Sequence, residues 1–508
     1  MLANNKDEPI WYSSLIKWIE KHEGIVHPSL ALRQDEKDPN YRSIVAHSDI
    51  KTGDVLVKVP QSIIISGDEF PDKYKLKIDE SGEQVERCAS SWLRCIAVLM
   101  SAYERNTPAN YIDSLPSSYD TLISKSWTND QVKNFLSGTM VGSMVLKDRS
   151  SSSLKSRFTN AVLPYLKSNN IMKDKETDEI YNMFCLASQC ISTRGFHLNE
   201  ENSTVNQQGP YLLPFIDLLN HSSEPSKRCT TLHKIENFFV MVAERNIKTN
   251  EEILHSYGSN TSASLLQTFG FVDYFLIQRA ASGELTKDHH SDDYNGVTPA
   301  VLSKADILAA CSSVKMSDLP NTLTFQLESN PELNDYDVWD LPSNTILINR
   351  NDAEIAKEFP DELLVEYNSP LSDDIITLSC CQFLPDEAYE ELISIRDDGE
   401  RSILKLSVDI LQDYFLGSLV LKSLRVCIEK KLSTYSTSLS SSTERLKTIL
   451  ANTSNTKVSE MERLHEMYGL AVTIEEQSCL NTMMNQISSF EAQLNLLAKE
   501  SNSKRIKI

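Results

Sequence analysis

Between Gly209 and Tyr274, two small polar clusters interrupt apolar sequence. Asp217, Asn220 and His221 stand in PYLLPFIDLLNHSSEP, and Ser256, Tyr257 and Gly258 close EEILHSYG, with the apolar run FFVMVAERNI between them. Carboxylate, amide, imidazole and phenol groups are the side chains that position polar ligands and hold protons. They do so best away from bulk water, and buried polar groups need partners. A row of them directly after an apolar segment therefore points to a pocket. A loop in which Asn220 and His221 cap a turn is the other reading of the same residues.

The elements that must position these groups follow from local patterns. PIWYSSLIKWIEKHEG, residues 9–24, reads as a short amphipathic helix with Trp11, Leu15, Trp18 and Ile19 on one face and Gly24 as its stop. Residues 41–66 read as two strands, Ile44-Val45-Ala46 and the alternation Val55, Val57, Val59, joined by the tight turn Lys51-Thr52-Gly53-Asp54. The run from Asp49 to Leu56 is echoed from Asn246 to Leu254, with Asn250 where the first copy has Gly53. Asparagine is the next best occupant of left-handed backbone, so the echo implies two similar hairpins in one β-rich domain.

Residues 85–190 carry helical periodicity, with apolar side chains at 92, 93, 96, 99, 100 and 103. Thr128 to Gln131 spells a capping box, Gly138 is the expected end of that helix, and Trp127 and Phe135 are expected core residues. Asp148 to Ser153 reads as a loop, and DEIYNMFCLASQCISTR as a helix leading into Thr193-Arg194-Gly195-Phe196. Residues 197–209 read as a polar loop, whose Asn202-Ser203-Thr204 formally fits a glycosylation acceptor without any sign of secretion. Residues 275–400 are mixed, with 328–340 expected at the surface. From Arg401 the pattern is helical, broken by a Ser/Thr-rich link at 436–443 and ending in a short basic tail.

The ordered series P-F-I-D-L-L-N-H-S, S-Y-G and F-G-F-V resembles SET-domain protein lysine methyltransferases. The likeness is to the branch typified by the Rubisco large-subunit methyltransferase and the ribosomal-protein lysine methyltransferases. It implies an α+β fold. A β-rich SET domain with a pseudoknot would span 1–280, split by a helical insertion at about 85–190. An all-helical or mainly helical substrate-binding domain would follow over 281–508. It also implies transfer of a methyl group from S-adenosyl-L-methionine to a lysine side-chain amine, chemistry that needs no metal.

Residue by residue, the resemblance makes Tyr257 the catalytic tyrosine. Asn220 and His221 match the family's N-H pair at the methyl donor, with Asp217 holding the same strand. Arg194 matches an arginine that would grip the donor carboxylate through a bidentate fork; a helix C-terminus that simply favours a cation is its other reading. Ser43 joins the donor set from the segment 40–43, where the family carries G-x-G and this chain has no glycine. That departure motivates a second reading of the whole protein, a catalytically silent SET-like binding module. Phe215 and Phe269 are assigned to the lysine channel. Phe269 stands where much of the branch has a tyrosine, which bears on the methylation state.

Composition bounds the partners. The 508 residues include 71 acidic and 50 basic side chains, a formal charge of −21. Such a balance argues against a general nucleic-acid surface and suits a basic protein substrate. The family resemblance, not composition, implies a ribosomal protein as first choice and an elongation factor as second, with the enzyme a cytoplasmic or also nuclear monomer. Ten cysteines without a C-x-x-C, and no apolar signal core, indicate free thiols in a reducing compartment and no structural zinc. The longest apolar runs fall short of a membrane span.

Overall fold

Helix α1 (Ile10–Lys21) buries Tyr12, Leu15 and Ile19 along one face, with Trp11 and Trp18 half-buried beside them. The covered stripe thus takes in Tyr12 rather than Trp11, and the helix stops three residues before Gly24. The computed structural model describes residues 9–34, 42–67, 77–78, 84–85, 90–118, 122–150, 153–199, 207–285, 296–314, 359–384, 393–395, 401–403, 405–412, 414–451 and 459–505. The expected surface segment at 328–340 and the Asn202-Ser203-Thr204 triplet lie outside them.

After α1 come the short strands β1 (Ile25–Val26), β2 (Leu30–Gln34), β3 (Arg42–Ala46), β4 (Val55–Pro60) and β5 (Ile65–Ser66), then the pair β6 (Lys77–Ile78) and β7 (Gln84–Val85). The helical insertion holds α2 (Ser91–Arg105), α3 (Ala109–Ile112), α4 (Ile123–Ser126) and α5 (Asn129–Phe135). It continues through α6 (Met140–Ser150), α7 (Ser153–Arg157), α8 (Leu163–Ser168) and α9 (Thr177–Arg194). Strands then resume as β8 (Phe196–Asn199), β9 (Gln207–Leu212), β10 (Asn220–His221), β11 (Thr230–Ile235), β12 (Phe238–Ala243) and β13 (Leu254–His255).

Helices α10 (Ser262–Phe269) and α11 (Tyr274–Ser282) lead on to β14 (Ala300–Ser303), α12 (Lys304–Ser313), β15 (Glu362–Val365) and α13 (Asp373–Cys381). The pair β16 (Ile393–Ile395) and β17 (Arg401–Ile403) precedes α14 (Tyr414–Leu432), α15 (Leu439–Ala451) and the 46-residue α16 (Glu460–Arg505). The fold is α+β, a β core with a helical insertion and a helical C-terminal stretch. That stretch is not purely helical, because β14 pairs with β15 and β16 with β17. Helix begins at Tyr414 rather than at Arg401, and the Ser/Thr link is shorter than expected because α15 already starts at Leu439. No helix among the described residues is long and apolar enough to cross a membrane. The nine cysteines among them are free, eight of them buried.

Pairing departs from the local expectation in instructive ways. β3 and β4 do not form a hairpin: β3 pairs antiparallel with β2, and β4 lies between β1 and β12 in the sheet β1-β4-β12-β11. Residues Ser43 to Ala46 of β3 are all buried, so the strand needs covering on both faces, which a two-stranded hairpin with β4 cannot provide. The polar segment after Phe196 is β8 and β9 in the sheet β5-β9-β8, since tertiary pairing supplies what its composition does not. Asp148 to Ser150 continue α6, where Arg149 donates to the carbonyls of Ile123 (3.0 Å) and Trp127 (2.6 Å) and anchors the extra turn. The Thr128–Gln131 capping box is present. Its helix ends at Phe135, and Gly138 lies in the turn beyond, where a Cβ would come within 2.8 Å of the Thr434 hydroxyl.

The echoed turns are one clasp rather than two hairpins. Ile50 and Ile247 exchange both backbone hydrogen bonds at 2.9 Å. Thr52 donates its N–H (3.0 Å) and hydroxyl (3.2 Å) to Asn246 Oδ1, and Thr249 donates the same two groups to Asp49 Oδ1, both at 2.9 Å. Gly53 (φ 87°) and Asn250 (φ 68°) occupy equivalent left-handed positions, as their alignment implies.

Three apolar clusters underlie the architecture. One joins α1, the strands and α2 with α9, and a second lies within the C-terminal part. The third is shared: Trp127, Val132, Leu136 and Val145 of the insertion pack with Leu265 and Leu266 of α10 and with Leu446, Ala471 and Val472 of α15 and α16.

Because Asp49 accepts from Thr249 and from the Lys248 ammonium, its pKa falls from 3.8 to about 2. A carboxylate depressed on folding contributes stability above its unfolded value, lost as pH drops through the folded one. Asp49→Ala is expected to lower the thermal midpoint, whereas Asp49→Asn, which copies Asn246 across the clasp, should preserve most of it and remove the acid dependence between about pH 4 and about pH 2. Thermal melts of the two variants check this, and a wild-type midpoint in Asp49→Ala would show that the clasp adds nothing.

Candidate active site

The site begins where β9 ends and the chain makes a tight bend. Phe215 adopts φ 71°, costly for a side chain by roughly 1–3 kcal/mol, and is held there by complete burial against Tyr12 (ring centroids 5.6 Å). The bend turns Asp217 inward. Its Oδ2 accepts the Tyr111 hydroxyl (3.0 Å) and lies 3.6 Å from Arg194 Nη1, which donates to the Asp217 carbonyl at 2.6 Å. Burial pushes the Asp217 carboxyl above its ordinary pKa, while Arg194 and Tyr111 pull it back. The same burial, with Asp217 alongside, raises Tyr111 well above its usual value.

Past Leu219 the chain enters β10, which pairs parallel with β13, Asn220 opposite Leu254 and His221 opposite His255. On its other side the segment before β13 is bonded to β3, Ala46 N–H to Glu251 O (2.9 Å) and Ile253 N–H to Ile44 O (2.8 Å). The chain from 251 to 257 thus lies between β3 and residues 219–222. Asn220 spans this junction, its amide nitrogen donating to the Arg42 carbonyl and to Glu252 Oε1, both at 2.9 Å.

His221 fixes the next residue of consequence. Its Nδ1 accepts the backbone N–H of Tyr257 (3.0 Å), so the proton resides on Nε2, which donates to Ser223 Oγ at 3.0 Å. Burial, helped by Arg228, lowers the His221 pKa to about 4, and burial with His221 nearby lowers His255 to about 3. Both imidazoles are neutral near pH 7. The Tyr257 ring lies 5.0 Å from each of them and 4.9 Å from Phe269, while its hydroxyl donates to the Leu219 carbonyl (3.0 Å). Gly258 (φ 101°) then takes the sharp turn that lets the chain leave the site.

Of the residues expected from sequence, Tyr257, His221 and Phe269 are in mutual contact or one ring apart. Asn220 is bonded to the Arg42 carbonyl, next to Ser43 on β3, and Arg194 grips Asp217. Phe215 is not part of the Tyr257 group, because its ring faces the core side of α1. Tyr111, Glu252 and His255 were missed. A histidine in the apolar run of EEILHSY was legible as a buried imidazole, whereas nothing in the chain links Tyr111 with Asp217, 106 positions away. Ser43 Oγ and Asp217 Oδ1 are buried without a hydrogen-bond partner among the described residues. Buried atoms of this kind, at the β3 end and beside Arg194, are the polar groups of the site whose hydrogen-bonding capacity the described residues leave unused.

Residues 41–258 match the SET domain family. Over 283 residues the chain is 23% identical to an uncharacterized protein of Schizosaccharomyces pombe, an alignment covering 53% of this chain and 57% of that one. Over 276 residues it is 23% identical to ribosomal lysine N-methyltransferase 4 of Saccharomyces cerevisiae, covering 49% and 52% respectively. The chain spans about half the length of these curated relatives. Its fold is similar to solved structures of Rubisco LSMT bound to AdoMet (TM-score 0.55, 15% identity) and to sinefungin and monomethyllysine (TM-score 0.56, 16% identity). Each covers 96% of this chain and 94% of the other.

The two depressed imidazoles set a pH window. A histidine that must stay neutral in the fold contributes stability that is whole above its unfolded pKa, 6.5, and lost as pH falls toward the folded values of about 4 and about 3. For His221 the loss is at most about 3 kcal/mol. Denaturant unfolding between pH 7 and pH 4 should show this slope, and His221→Asn, whose amide oxygen can still accept the Tyr257 N–H, should reduce it to the His255 share. An unchanged slope in that variant would remove His221 as its source.

Proposed function

From the SET domain at residues 41–258 we propose that the protein is an S-adenosyl-L-methionine-dependent protein-lysine N-methyltransferase acting on a component of the translation machinery. The observation that carries this reading is the placement of Tyr257, its hydroxyl held at the Leu219 carbonyl and its ring against Phe269, where the 219–221 and 254–258 segments meet. When bound, the donor supplies an electrophilic methyl group on a sulfonium.

The chain's own residues then have definable tasks. Tyr257 spends its proton on the Leu219 carbonyl, so its oxygen lone pairs are left to accept an amine N–H and turn the nitrogen lone pair toward the methyl group. Free lysine titrates at about 10.4, and only the uncharged amine reacts. A channel edged by Phe269 disfavours the ammonium form by desolvation. Arg194, Asp217, Asn220, His221 and Ser43 form the donor side. Arg194 supplies a cation for a carboxylate, and Asn220, whose amide nitrogen is already committed, retains its oxygen.

Tyr257→Phe is expected to keep the fold and donor affinity while lowering methyl transfer by about 10²-fold or more. Undiminished turnover by the folded variant would take Tyr257 out of the reaction. Calorimetry separates this reading from a silent SET-like module, which the glycine-free segment at 40–43 favours. Measurable S-adenosyl-L-methionine binding, weakened by Arg194→Ala and Asn220→Ala, supports the enzyme, and none by the folded protein supports the module.

A ribosomal protein is the proposed target on the likeness to ribosomal lysine N-methyltransferase 4, and the net charge of −21 suits a lysine-rich partner. The C-terminal helices α14 to α16 are the assigned docking platform, and the cytoplasm, or also the nucleus, the compartment. Labelled donor added with the enzyme to extract from cells lacking it, followed by mass-spectrometric mapping, is expected to mark a ribosomal protein lysine. An elongation factor would change the substrate and keep the chemistry, and a histone alone would overturn the translational assignment.

A further inference from the structure

Helix α10 ends at Phe269, beside Tyr257, and begins at a carboxylate that comes from the far end of the chain. Glu475 of α16 is 2% exposed. Its Oε1 accepts the Ser262 hydroxyl (2.7 Å), and its Oε2 accepts the Thr298 N–H (2.9 Å) and the Thr298 hydroxyl. Thr298 Oγ1 in turn accepts the Ala263 N–H (3.1 Å), and one turn along α16 the Cys479 thiol donates to the Thr298 carbonyl (3.4 Å). The first turn of α10 is thus fastened to α16 both directly and through Thr298.

All three groups donate to Glu475, and the Thr298 N–H can do nothing else, an arrangement that suits a carboxylate. The position is also the positive end of the α10 dipole, where a negative charge is favoured. The helix is eight residues long, about 12 Å, closed at one end by the Thr261 capping box and at the other by Gly270 in left-handed backbone. A short, doubly capped helix moves as a body, so a displacement of its N-terminus reappears at Phe269, whose ring is 4.9 Å from that of Tyr257.

We infer that Glu475 is a positioning residue of the site, through which the long C-terminal helix sets Phe269 against Tyr257. Its kinetic consequence rests on the methyl-transfer reading, whereas its mechanical consequence does not. The region assigned to hold the target protein is therefore the one that aligns the wall of the lysine channel. A misplacement of about 1 Å from outside the chemistry costs as much as 10²-fold in rate, so the alignment is an adequate lever on turnover.

The test uses full-length Glu475→Gln, which keeps the volume but removes the charge and one acceptor oxygen, and the milder Ser262→Ala. Hydrogen exchange followed by mass spectrometry is read over 262–269 and, as a control, over β11 and β12. Faster exchange confined to 262–269 is expected in both variants. Donor affinity should be unchanged, and kcat should fall about 10-fold to about 10²-fold in Glu475→Gln with little change in target KM. Wild-type exchange over 262–269 in both variants overturns the inference, as does wild-type kcat in a folded Glu475→Gln protein. Should Glu475→Gln fail to fold, Ser262→Ala decides by exchange. Should the wild type prove inactive, the exchange measurement still decides, and the methyl-transfer reading alone is lost.

Discussion

The insertion of residues 251–257 between β3 and the 219–222 segment is the constraint on which the site depends. It buries two histidines and half-buries an asparagine and a glutamate in a region where unsatisfied polar groups are costly, about 1–3 kcal/mol each. The cost is met by bonds that each join different segments. Asn220 ties β10 to the Arg42 carbonyl and Glu252, His221 takes the Tyr257 N–H, and Tyr257 returns a bond to Leu219. Because these bonds are reciprocal, Tyr257 is located by backbone and side chain together. The clasp between the Asp49 and Asn246 turns holds the same strands at their other end.

The protein is also joined across what the sequence suggested as separate parts. The shared apolar cluster brings the insertion, α10 and the C-terminal helices α15 and α16 into one core. Buried polar contacts accompany it: Glu476 accepts the Met140 N–H (2.9 Å) and the Tyr435 hydroxyl (2.7 Å), and Lys431 donates to the Gly138 carbonyl (2.7 Å). Burial raises the Glu476 pKa to about 7, with its partners opposing the shift. Paired groups in such a setting specify one packing arrangement strongly, since each is expensive when left alone. A rigid seam of this kind lets the C-terminal helices act on the site rather than merely adjoin it.

What the sequence by itself determined was whatever depends on neighbours along the chain. The capping box at Thr128, the left-handed Asn250 opposite Gly53, the turn at Gly258 and the adjacency of apolar strand and polar cluster around Tyr257 were all legible. Each is settled within about four residues, by sterics or by a side chain reaching its own backbone. The family resemblance brought Tyr257 and Phe269 to one channel, and their rings lie 4.9 Å apart. Tertiary structure alone decided that β3 joins β2 and not β4, that the echoed turns bond to each other, that residues after Phe196 form strands, and that Phe215 belongs to the core. It alone brought Tyr111 to Asp217 and Glu475 to α10. The physical reason is that every residue except proline offers the same backbone donor and acceptor, so local sequence marks an element but not its partner. The partner is chosen by which distant segments can bury one another's apolar faces while leaving no polar group alone.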